Sequence, residues 1–342
     1  METDQTFDFF NELDDLEQVE NFLVKSQRKQ KRPLRNPKKV PSADQSFLQE
    51  QDDTASHFKF TYKAARFEEW WLLDSLGDFY EHKWIADVLS RVKGGKEASV
   101  YLCQPGPEVK SPLIAAKVYR PRSLRNLKND GMYRAGRADL DNEGRQILNH
   151  GMEHAMDKKT EYGKELLHQS WIAYEFTSLQ RLYKAGADVP RPYTMAKNAI
   201  LMEFIGDVDG CAPALSEISL ERQEAKTLFN RILKNIDICL GQNLVHGDLS
   251  AYNILYWEGA ICLIDFPQVV APQVNRNAFA IFERDVTRVC EYFSKQGVRS
   301  NASKIAGELW TAHGQCVTEE VDVRFLDADN PEDQAYWKAH HK

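Results

Sequence analysis

The sequence predicts an α+β fold of two lobes, a small β-rich N-terminal lobe followed by a helical C-terminal lobe. Two observations carry that expectation. Three short apolar runs punctuated by Gly and Pro come early, and long stripes with a helical period dominate the second half. The length of 342 residues allows two ordinary domains or one two-lobed unit with ample core.

In order along the chain, 1–57 opens with an acid-rich stretch and continues with a basic block, Lys25 to Lys39, interleaved with Pro33 and Pro37. Composition of this kind reads as a disordered charged tail, with a short amphipathic stretch around Phe7 to Phe22. The aromatics Phe58, Phe60, Tyr62, Phe67, Trp70 and Trp71 mark the start of ordered chain, a helical extension over 58–83. Ile85 to Val92, Ala98 to Cys103 and Leu113 to Tyr119 read as a three-stranded meander, with turns at Gly94-Gly95 and Gln104 to Pro107. Residues 120–168 lose apolar periodicity and read as a long polar insertion. The helical period returns at Trp171, with Ile172, Phe176, Leu179 and Tyr183 on one face and Gly186 as the stop. Ala199 to Phe204 is a buried strand, and Ala225 to Leu240 carries one apolar stripe of a long helix. Strands at 254–257 and 261–264, then helices near 278–293 and 302–310, complete the second lobe.

Composition narrows the function classes. With 42% hydrophobic and 28% charged residues, the average is that of a soluble globular protein, and no apolar run approaches the roughly 18 residues a membrane span needs. The acidic start is unlike a secretory signal, so a cytoplasmic protein with no membrane contact is expected. Six dispersed cysteines without a C-x-x-C pair fit buried thiols in a reducing compartment. A net charge of −7 argues against wholesale nucleic-acid coating, which leaves two readings of the Lys25 to Lys39 block, a solvated tail or an arm for RNA or a ribosomal surface.

Phosphoryl transfer needs a carboxylate beside the acceptor hydroxyl and oxygen ligands that hold a divalent cation on the phosphates. His246-Gly247-Asp248 with Asn253, followed by Ile264-Asp265-Phe266, supplies both. Asp248 would be the base, or would form a phospho-aspartate, while Asn253 and Asp265 would bind metal. His246 reads as a hydrogen bonder that shapes the loop. Lys117 ends a run too apolar to hold an ammonium group unless an anion receives it, and Glu175 on the later helix is the carboxylate chosen to pair with it. Between the first two strands, Gly95, Lys96, Glu97, Ala98, Ser99 and Val100 form a turn whose amides would meet phosphate oxygens. His150, Glu153 and His154 spell an inverted zinc-protease pattern, but Gly151 weakens the required helix and no third ligand is evident, so zinc is not expected.

These segments resemble the RIO family of atypical serine/threonine protein kinases, from about Trp84 to Trp310, and the first RIO subfamily most closely because no winged helix is evident ahead of Trp84. Gly95 to Tyr101 is similar to that family's flexible phosphate loop, His246 to Asn253 to its catalytic loop, and Ile264-Asp265-Phe266-Pro267-Gln268 to its metal loop. Leu201 to Gly206 resembles its hinge, so Met202 would be the gatekeeper and Glu203, Phe204 and Ile205 would offer backbone groups to adenine. The resemblance implies a protein-kinase-like fold without activation loop or A-P-E segment, with the kinase domain at 84–320, its N-lobe at 84–205, its C-lobe at 206–320 and a tail at 321–342. It also implies ATP with Mg²⁺ or Mn²⁺, serine/threonine protein substrates including the enzyme itself, and an ATPase role in ribosome assembly. Two rivals remain. Gly247 also fits small-molecule phosphotransferases of the aminoglycoside or choline kinase type, and a nucleotide-binding assembly factor would use the basic arm.

Overall fold

The computed structural model describes residues 58–120, 133, 137–141 and 143–315. The N-terminal tail with its Lys25 to Lys39 arm and Phe7 to Phe22 stretch, and the tail at 321–342, lie outside the described residues.

The first layer is a five-stranded antiparallel sheet. Helix α1 (Arg66–Glu81) precedes β1 (Ile85–Gly94), β2 (Ala98–Pro105) and β3 (Ile114–Tyr119), and β4 (Pro192–Met195) and β5 (Ala199–Glu203) join later in the order β1-β2-β3-β5-β4. Every residue of β3 is buried, because α1 covers one face and, on the other, Trp171, Ile172 and Phe176 pack on Tyr119 while Leu102 and Phe204 pack on Ala115. On one face Ile114, Ala116 and Val118 pack with Leu72, Leu76 and Phe79 of α1. The opposite face carries Ala115, Lys117 and Tyr119, since side chains alternate along a strand. Register sets Val100 and Ile200 beside Lys117 and Met202 beside Ala115, so one row of side chains looks into the space below the sheet.

Three elements differ from the sequence expectation. The stretch read as a polar insertion contains helix α2 (His150–Asp157), started by Asn149, whose side chain accepts from the amides of Gly151 and Met152. Met156 of α2 closes a small cluster with Ile147 and Leu166, too few apolar residues to register as a period. Helix α3 (Glu161–Lys184) begins ten residues before Trp171, capped by Thr160 Oγ1 accepting from the Gly163 amide at 3.0 Å. Its first turns are mostly polar, which hides them from a search for stripes. Strand β4 went unread because its four residues are all half-buried and it opens with a proline, as edge strands tolerate.

The second lobe is built on α4 (Arg222–Gly241), α5 (Ala278–Lys295) and α6 (Ala302–Ala312), with the hairpin β6 (Ile254–Trp257) and β7 (Ala260–Leu263). Leu228, Ile232 and Ile236 of α4 share one core with Ile281, Val286 and Phe293 of α5 and with Trp310 of α6. Past Leu263 the Ile264 amide still donates to the Asn253 carbonyl at 3.0 Å, in register with the hairpin, which ties the chain entering Asp265 to Asn253. No helix among the described residues is long and apolar enough to cross a membrane.

Candidate active site

Lys117 is the junction of the two lobes. Its Nζ donates to Glu175 Oε1 at 2.6 Å and to Asp265 Oδ1 at 2.5 Å, joining β3, α3 and the loop after β7. Burial by itself would lower the pKa of this ammonium, but the carboxylates of Asp265 and Glu175 outweigh it and hold the group above its ordinary value. For Asp265, burial alone would raise the carboxyl. Lys117 overrides it, with smaller help from His246 and Lys93, and keeps Asp265 below the usual carboxylate range. The Asp265 backbone sits at φ 71°, in the left-handed region that few residues other than Gly, Asn and Asp tolerate. The remaining oxygen of Glu175 is not idle, because Tyr119 Oη donates to Oε2 at 2.7 Å.

The loop after α4 is hung from three sides. Val245 and Val270 exchange backbone hydrogen bonds at 2.9 and 3.0 Å. The Gly247 amide donates to Asp285 Oδ2 at 2.8 Å, and Arg284 donates to the Gly247 carbonyl. His246 Nδ1 accepts from the Asp248 amide at 3.3 Å, which leaves the ring proton on Nε2 for the Ile264 carbonyl at 3.1 Å. The His246 ring rests 4.6 Å from that of Phe266. Gly247 has no substitute here, since it sits at φ 84° and a Cβ would come 2.1 Å from the Gln268 carbonyl oxygen. Asn253 Nδ2 donates to the Asp248 carbonyl at 2.8 Å and to Asp248 Oδ2 at 3.2 Å, while Arg288 donates to Oδ1 at 2.8 Å.

These groups open on a cleft of about 730 Å³ between sheet and helices. Its walls include Gly95, Lys96, Glu97, Ala98 and Val100 from the β1–β2 turn, Met202, Glu203, Phe204 and Ile205 from the chain leaving β5, and Lys117, Glu175, Asp248, Asn253 and Asp265. Ser99 is the one candidate outside it. It is buried, and its strand neighbours Ala98 and Val100 face the cleft instead. Where the chain leaves β5, the Glu203 amide donates to the Arg191 carbonyl and the Ile205 carbonyl accepts from the Ala212 amide, so adenine contacts would fall to the other backbone groups there. Arg284, Asp285 and Arg288 were missed in the sequence. The available signal was an acid on the apolar stripe of α5, at Asp285 between Ile281 and Val289. His150, Glu153 and His154 lie on α2, and no group of three or more His, Cys, Asp or Glu side chains placed to hold a metal occurs among the described residues.

A profile of the RIO domain matches residues 131–305, just over half of the chain. The chain belongs to the RIO domain family. The match starts after Lys117 and the β1–β2 turn, so those two parts of the cleft stand on geometry. The chain is similar to the RIO-type serine/threonine-protein kinase Rio1 of Haloferax volcanii, 28% identical over 216 residues, 63% of this chain and 66% of the relative. It is also similar to the serine/threonine-protein kinase RIO3 of Homo sapiens, 33% identical over 158 residues, 46% of this chain and 30% of the relative. With the serine/threonine-protein kinase rio1 of Schizosaccharomyces pombe it shares 26% identity over 242 residues, 70% of this chain and 45% of the relative. The chain therefore spans less than two thirds of the length of each of these relatives. Their names place both Rio1-type and RIO3-type kinases near this RIO domain.

Proposed function

We propose that this RIO domain is an ATP-dependent serine/threonine protein kinase using Mg²⁺ or Mn²⁺, with 84–320 as the kinase domain and its lobes divided at 205/206. The observation that carries the reading is one buried lysine bridging a helix carboxylate, Glu175, and a loop carboxylate, Asp265, in a cleft that also holds Asp248. The donor set fits a hard divalent cation, since Asp265 offers carboxylate oxygen, and Asn253, with its Nδ2 engaged on Asp248, turns Oδ1 free for a cation. A metal held there would neutralise charge on the phosphates.

The chain's own groups would do the rest. Lys117, fixed by Glu175, orients phosphate oxygens, and the amides of the β1–β2 turn cover them. Asp248 takes the proton from the acceptor hydroxyl as that oxygen attacks phosphorus, and the nucleotide diphosphate leaves with the bond electrons. Arg288 holds one oxygen of Asp248, so the carboxylate is aimed before the acceptor arrives. The test is Asp248→Ala with labelled ATP. Label transfer to protein is expected to fall at least a hundredfold while nucleotide still binds by fluorescence or calorimetry. Undiminished transfer would remove Asp248 from the base role.

A further inference from the structure

A second groove, of about 710 Å³, lies on the other side of Asp248. Its walls come from the 3₁₀ turn Leu215–Glu217 and the residues after it, from Ser250 and Tyr252 of the catalytic loop, and from α5. Asp248 and Asn253 line both cavities, the nucleotide cleft and this groove. In-line transfer needs donor and acceptor on opposite sides of the moving phosphoryl group, with the base reaching the acceptor side. One carboxylate facing two cavities meets that requirement.

The geometry points to this groove as the seat of an extended polypeptide acceptor that carries an acidic side chain about three residues from the accepting hydroxyl. The inference rests on the kinase reading and adds the substrate's charge pattern. The wall is rigid where the acceptor would lie, because Tyr292 Oη of α5 donates to the Leu215 carbonyl at 2.6 Å. Tyr252, 70% exposed, offers an aromatic face at the rim. Along α5 the groove meets Arg288, Glu291 and Lys295 in turn. Arg288 touches Asp248 and so marks where the hydroxyl must arrive. Lys295 stands seven residues on, two helical turns or about 10.5 Å along the axis. An extended chain advances about 3.3 Å per residue, so that span equals about three residues. Lys295 also stands in the last turn of α5. Glu291, halfway between, disfavours an acid directly beside the hydroxyl and would accept a basic or neutral residue there.

The experiment is steady-state phosphorylation of a synthetic peptide series by the full chain. Each peptide has one serine, with Asp or Lys placed three residues before or after it, or directly beside it. Asp at three residues, on one side of the serine, is expected to give a kcat/KM about tenfold above Lys at the same place, and Asp beside the serine to lower it. Lys295→Glu, checked for folding by thermal unfolding, is expected to reverse the preference at the distant position. Equal use of all peptides by the unaltered protein overturns the inference while leaving the kinase reading standing, as does an unchanged preference in the variant. Consumption of ATP with no label on any peptide or on the enzyme itself overturns both readings together, and label on choline or an aminoglycoside instead assigns the groove to a small acceptor.

Discussion

Tyr119 shows how much of the site rests on a residue without chemistry of its own. Lys117 and Tyr119 are two positions apart on β3, so they share a face, and each holds one oxygen of the Glu175 carboxylate. The tyrosine ring is fully buried and packs edge-on against Trp171 at 5.0 Å, while Trp71 of α1 donates to the Tyr119 carbonyl at 3.1 Å. Glu175 is therefore aimed at Lys117 from the strand alone, with α1 bracing that strand from outside. Removing the hydroxyl leaves a buried carboxylate oxygen with no donor, a loss of the class that costs about 1.5–3 kcal/mol when the partner is charged. Tyr119→Phe is accordingly expected to lower the unfolding free energy by that amount, read as a lower urea midpoint with the slope unchanged, and to raise KM for ATP more than it lowers kcat. A variant with native KM would mean that Lys117 alone positions Glu175.

At the scale of elements, the loop from His246 to Asn253, proposed above to carry the base, is a short chain slung between α5 and the loop after β7. Gly247 is where the two meet most closely. Placing a methyl group there forces it onto the Gln268 carbonyl and strains a backbone at φ 84°, effects worth together about 2–4 kcal/mol. Gly247→Ala should show that loss in denaturant unfolding, and a cost below about 1 kcal/mol would mean the loop yields freely. The H-x-D-x-x-x-x-N spacing, the β-meander and the long stripes of α4 and α5 were legible because each is a local pattern, a period or a fixed offset. What holds the loop was not legible, since Asp285 reaches Gly247 across 38 positions and Arg288 reaches Asp248 across 40. No period links residues so far apart, and an acid in the apolar stripe of α5 only hints that something polar is buried beneath. Helix α2 escaped for the opposite reason, being local but carried by an Asn149 cap and a single buried methionine.

For the whole molecule, the decisive fact is that the sheet lobe and the helical lobe meet at the cleft through charge. Lys117 is tied to Asp265, and the two would part to admit phosphate on one side and a cation on the other. A nucleotide that contacts Lys117 above and, through metal, Asn253 and Asp265 below would replace that single bridge with several. Because the unfolded chain has no such arrangement, binding stabilises the fold by RT ln(1 + [L]/Kd), about 2.7 kcal/mol at a hundredfold excess over Kd. For a chain of this size that corresponds to a rise in Tm of about 4–5 °C. The expected result with ATP and Mg²⁺ is a shift in that range, reduced by at least half when a chelator removes the metal and likewise in Asp265→Asn. A shift of the same size with chelator present would show that nucleotide is held without the oxygen donors of the helical lobe. The two lobes would then be joined by Lys117 and the phosphates alone, and Asn253 and Asp265 would lose the metal-holding role proposed for them.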